Sequence, residues 1–181
     1  MREVSDAFLL NMAEVSATLI GLFMVGVFFY IETGFRRLEQ GREVFEPYFR
    51  AGTRIVLILY ALPLGLSLTL VVLSLNWNRV IFALLSLLLV AANVDSVTRV
   101  RGIVKVSGSP ILLANELLGT ASVVVLVTLP WILGGFHPTR EDLTWAILLS
   151  FASGFFSVSA LVMSALDTAK YERAGRTKGG D

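Results

Sequence analysis

Five long apolar runs leave this chain few options. They lie at about 8–31, 55–77, 80–98, 111–133 and 143–166. A helix rises ~1.5 Å per residue, so ~20 apolar residues cross the ~30 Å hydrocarbon core of a bilayer. Apart from Glu14, Asp95 and Glu116, charges are confined to the segments outside the runs. Only 16% of the residues are charged, against about 25% in soluble domains. The expected fold is all-α: an integral membrane bundle of five transmembrane helices, forming one domain over 1–167. The last residues, 168–181, are polar and glycine-rich and are expected to be a disordered cytoplasmic tail.

The distribution of Lys and Arg sets the expected orientation. With the N-terminus outside, 12 of the 15 basic residues fall on inner segments, and only Arg2, Arg79 and Arg140 fall outside. An excess of Lys and Arg marks the cytoplasmic side, so the C-terminus is expected there. The expected location is the cell membrane, a prokaryotic inner membrane. The N-terminus does not read as a signal peptide: Glu3 and Asp6 follow Arg2, the apolar run is long, and no small-residue cleavage site follows it.

The connectors carry recognisable helix-end signals. Glu46-Pro47 reads as a helix start, and Ser109-Pro110 as an N-cap with proline at the first helical position. Thr139 with Asp142 three residues later resembles a capping box. Asn76-Trp77-Asn78 reads as an interfacial turn, and 100–110 as a short loop. Pro63 and Gly65 predict a kink in the second run, because proline cannot donate its ladder hydrogen bond.

The first run carries the sharpest marks. Asn11, Glu14, Thr18 and Gly21 recur at helical spacing and share one face. Ala13, Ala17 and Gly21 recur every four residues beside it, the small-residue ladder that lets membrane helices approach closely. An ionisable residue inside a span costs ~2.5–3.5 kcal/mol on insertion scales, so Glu14 is a candidate for proton or cation handling. The plainer alternative is a helix-end carboxylate at the interface, favoured by the helix dipole.

Ala13-Glu14-Val15 with Thr18 following resembles the first helix of the small multidrug resistance transporters. In that family, a membrane-embedded Glu binds either protons or a cationic drug. The resemblance implies such a role for Glu14. It covers about six residues. Those transporters have four spans and a shorter chain, and their later helices have no match here.

Further candidates lie at the opposite end. Asn93, Asp95, Asn115 and Glu116 are expected near the inner side, as an ion site or as a packing network of hydrogen bonds. Asp95 and Arg99 are spaced to pair at i, i+4. Ser153 and Ser157 belong to a small-residue stripe expected to be a helix-packing face, with the lining of a wet path as the alternative. Glu14-Val-Ser-Ala-Thr18 echoes Glu116-Leu-Leu-Gly-Thr120, as inverted repeats in transporters do.

Several classes fall away. There is no cysteine and a single histidine, His137, so thiolate sites, bis-histidine haem and histidine zinc sites are excluded. No Walker loop or G-x-S-x-G motif occurs, and no enzymatic activity, cofactor or resident metal is expected. A net charge of +1 offers no surface for nucleic acid. The expected partners are the lipid bilayer and further copies of the chain, since five spans seldom enclose a path alone. Two functions remain. One is an oligomeric channel or transporter for protons, cations or a small cationic solute. The other is a non-transporting structural or regulatory membrane subunit that docks through the small-residue face.

Overall fold

The structure, a computed structural model, describes the backbone of residues 4–34, 42–107 and 110–178, and side chains over 4–32, 49–98 and 117–162. Its elements are five helices: α1 (Asp6–Gly34), α2 (Arg42–Val72), α3 (Leu75–Ser107), α4 (Pro110–Gly134) and α5 (Arg140–Lys178). All five are long and apolar enough to cross a membrane. They run up and down, so the starts of α1, α3 and α5 share one end with the C-termini of α2 and α4.

Local signals start and stop the helices. Ser5 caps α1 by accepting from the Phe8 N–H at 3.2 Å. Pro110 opens α4, where its missing N–H is no loss. Before α5, the Asp142 carboxylate accepts from both the Thr139 N–H, at 2.8 Å, and its hydroxyl, at 2.7 Å. The Thr139–Asp142 capping box therefore forms as its spacing predicts. Gly135, at φ 59°, ends α4 in the left-handed conformation.

Several expected boundaries move. The turn between α2 and α3 is at Leu73-Ser74, and Trp77 and Asn78 already lie in α3. Asn78 closes that turn by donating from Nδ2 to the Leu73 carbonyl at 3.2 Å. α2 starts at Arg42, ahead of Glu46-Pro47. α3 continues to Ser107 through most of the segment expected as a loop. α5 continues to Lys178, through most of the segment expected as a disordered tail. Ala165, Ala169, Lys170, Glu172, Arg173 and Ala174 are good helix formers, and propensity carries the helix past the apolar span. At 31, 33 and 39 residues, α2, α3 and α5 run about 45–60 Å, well beyond a ~30 Å core. Their polar extensions all project at the end opposite Asp6.

α2 is the centre of the bundle. It packs against α1, α3 and α5, while α4 closes a ring by packing on α3 and α5. The most apolar window of α2 is 44% buried, against 11% for that of α1, which packs chiefly on α2 from outside the ring. The sequence echo between α1 and α4 thus has no counterpart in packing. Val56, Leu59, Leu62 and Leu66 of α2 meet Phe82, Leu89, Leu126, Leu143 and Ile147 in the core. α1 contributes one stripe: Leu9, Ala13 and Ser16 buried, then Ile20, Phe23, Val27 and Tyr30 partly buried. This spacing of three and four residues is one helix face.

Polar contacts fix α2 to two neighbours at mid-height. α2 runs unbroken through the buried Pro63, which has no N–H to offer the Leu59 carbonyl one turn back. The Ser150 hydroxyl of α5 donates to that carbonyl at 2.5 Å. The Ser16 hydroxyl of α1 donates to the next one, at Tyr60. Gly154 of α5 lies against the Tyr60 ring, where a Cβ would stand 2.5 Å from Cε1.

Candidate functional site

Two places gather polar side chains where an apolar helix bundle would not otherwise put them: the outer face of α1 and the interior between α2 and α5.

The first follows from the α1 stripe. With Leu9, Ala13 and Ser16 turned onto α2, the 3.6-residue period turns Asn11, Glu14, Thr18 and Gly21 outward, and all four are exposed. The Thr18 hydroxyl donates back to the Glu14 carbonyl at 2.9 Å. Ala17 is exposed beside them, and a Cβ added at Gly21 would have nothing within 4 Å. The ladder expected as one seam is thus split, with Ala13 buried in the chain's own packing and Ala17 and Gly21 left open.

Position along the helix makes Glu14 unusual. Asp6 pairs with Arg140 of α5 and marks the first end of the bundle. Glu14 lies eight residues on, about 12 Å along α1. At the same end, Arg79 donates from Nε to the Pro138 carbonyl at 3.1 Å and from Nη1 to Asn76 Oδ1 at 2.9 Å, and His137 Nδ1 lies 3.4 Å from Nη1. At this end Asp6 pairs with Arg140 and Arg79 is held by neighbouring oxygens, while Glu14 is set well inside them on an outward face.

The second place is a cavity of about 160 Å³ near the opposite end, walled by α2, α3, α4 and α5. Asn93 and Ser96 come from α3, Thr120 and Ser122 from α4, and Ser153 and Ser157 from α5. Gly52, Gly119 and Ala160 keep the space open, and Ile55, Val123 and Phe156 supply apolar wall. Ser153 and Ser157 face the cavity, and between them Gly154 makes the close approach to α2.

Asn93 and Asp95 separate. Asn93 turns inward, whereas Asp95 lines a groove between α2 and α3 with Arg54, whose Nη1 lies 3.8 Å from Oδ2. Asn115 and Glu116 fall in α4, and Arg99 in α3, but their side chains lie outside the described residues, as does the expected pairing of Asp95 with Arg99. Among the described residues, no three His, Asp or Glu side chains gather to hold a metal.

Sequence reasoning missed Ser96, Thr120 and Ser122 as members of the polar interior. Ser96 follows Asn93 at i+3, which places both on one face, and that spacing was the available signal. It also missed Arg54 as the partner of Asp95, because nothing local couples two residues on different helices. No protein-family model matches the chain, and neither a curated protein nor a solved structure is detectably similar to it.

Proposed function

We propose that this is a multi-pass membrane protein that assembles with copies of itself through the outer face of α1, and that the assembly conducts protons or small cations past Glu14. One observation carries the reading: Glu14 faces away from its own bundle, well inside a helix of membrane-crossing length. Ionisable residues in spans almost always face a bundle interior or a wet cavity, because facing lipid is costly. A second copy converts that outward face into an interior. Ala17 and Gly21 beside it permit close approach of backbones, and Asn11 and Thr18 add neutral oxygen and amide groups along the same face. A symmetric assembly brings several Glu14 carboxylates together, which suits a proton or cation rather than an anion.

The test is flux through liposomes carrying the wild-type chain or Glu14→Gln. The expected result is proton or monovalent-cation flux in the wild type and its loss in the variant, with assembly retained in both. Absence of flux in the wild type at every pH, or equal flux in the variant, would overturn the conduit.

A second reading is a non-transporting subunit that docks on another membrane protein through the same helix. The observation favouring it is the apolar continuation of the exposed face: Leu22, Val25, Phe28 and Phe29 are all open, and large apolar groups suit docking better than a wet path. Recovery of a stoichiometric hetero-complex from native membranes, with no flux by the isolated chain, selects this reading.

A further inference from the structure

The geometry points to a binding site for a small uncharged polyol in the cavity between α2, α3, α4 and α5. This site is separate from the α1 face and does not depend on the conduit reading. Its buried polar groups are the starting point. Asn93, Ser96 and Ser153 are 9%, 3% and 4% exposed, and none of them makes a hydrogen bond among the described residues. Their polar atoms open onto the cavity rather than being sealed in packing, so a molecule that fills the space meets groups able to hydrogen-bond with it. Here the three converge from two helices on one space of about 160 Å³.

Size and lining choose the occupant. An apolar cavity of ~150 Å³ stays dry and accepts a molecule as large as benzene. This one has the same capacity but a different wall, so it suits a ligand of similar heavy-atom count that hydrogen-bonds. Serine hydroxyls and the Asn93 amide each both donate and accept. A three-carbon polyol also offers a donor and an acceptor at every carbon, and its C–H faces fit Ile55, Val123 and Phe156. The described lining contains no charged side chain. The nearby Arg54 and Asp95 line a separate groove and pair with each other. A charged ligand would therefore enter without a counter-charge among these residues.

The absence of native cysteine makes the test clean. Ser153→Cys is introduced into the full chain in liposomes and reacted with a small uncharged methanethiosulfonate, with Phe136→Cys in the exposed turn between α4 and α5 as control. The expected result is reaction at position 153 that glycerol slows, by about tenfold at ten times its Kd, while sodium and choline leave the rate unchanged. Adding Asn93→Leu should abolish protection by glycerol, and glycerol should not slow the control. If Ser153→Cys does not fold, Ser157→Cys is used, one turn on along the same wall. A thiol that is inert while the control reacts means a dry packing gap and overturns the site. Protection by sodium or choline but not by glycerol also overturns it, in favour of a cation. Slowing by glycerol that persists in Asn93→Leu refutes recognition by this lining.

Discussion

The Ser150 hydroxyl and the Leu59 carbonyl form the hydrogen bond that lets a proline sit in the middle of the central helix. Pro63 takes away the donor that Leu59 would otherwise use, and α5 supplies another from its side chain. In an apolar interior, a freed backbone carbonyl has no water to turn to, so neighbouring hydroxyls are the available substitutes.

This relationship makes a coupling prediction. Ser150→Ala should destabilise the bundle by about 0.5–2 kcal/mol, in the range measured for hydrogen bonds between membrane helices. Pro63→Ala restores a backbone donor to Leu59, so Ser150→Ala should cost less in that background. A double-mutant cycle by denaturant unfolding in micelles reads the difference. Strict additivity would mean that the hydroxyl is not serving the carbonyl freed by the proline.

Two glycines that look alike in sequence should respond unequally. At Gly154, a Cβ would press on the Tyr60 ring, which Phe151 and Phe155 hold at centroid distances of 6.5 and 6.2 Å. Gly154→Ala should therefore cost about 1–3 kcal/mol, as overpacking does. Gly52→Ala meets only the flexible tip of Leu161, at 2.7 Å, and should cost less. Thermal unfolding of the three proteins in one detergent ranks them.

Gly21 is the contrasting case, with open space where its side chain would be. Gly21→Leu should leave the stability of the single chain within about 0.5 kcal/mol. It should weaken self-association by at least about tenfold, or ~1.4 kcal/mol. Energy transfer between labelled copies in liposomes, read against dilution in lipid, measures this. Unchanged association would show that α1 does not meet its copy on this side.

Asp142→Ala removes both hydrogen bonds that close the α5 capping box and should cost about 0.5–2 kcal/mol. Asp142→Asn keeps an acceptor and should cost less. By contrast, Asp6→Asn breaks a partly exposed ion pair with Arg140, and such pairs contribute about 0–1 kcal/mol. Unfolding midpoints of the three variants should therefore fall in that order.

The sequence by itself determined the five membrane-length helices, the capping box at Thr139, the opening of α4 at Pro110 and the shared face of Asn11, Glu14, Thr18 and Gly21. Each of these is set by hydropathy over a window, by a period of 3.6 residues, or by residues three apart, so the information is local. Where apolar character and helix propensity diverge, as beyond Leu166, the hydropathy signal stopped the span while propensity kept the backbone helical.

Only the tertiary structure decided that α2 is central and α1 peripheral, that Asp95 meets Arg54, that Ser150 serves Leu59, and that Asn93 shares a cavity with Ser153. These pairings join residues on different helices. Apolar helices of similar length can pack against one another in many arrangements of nearly equal burial, and the choice among them rests on small residues, single hydroxyls and one missing N–H whose partners lie far along the chain.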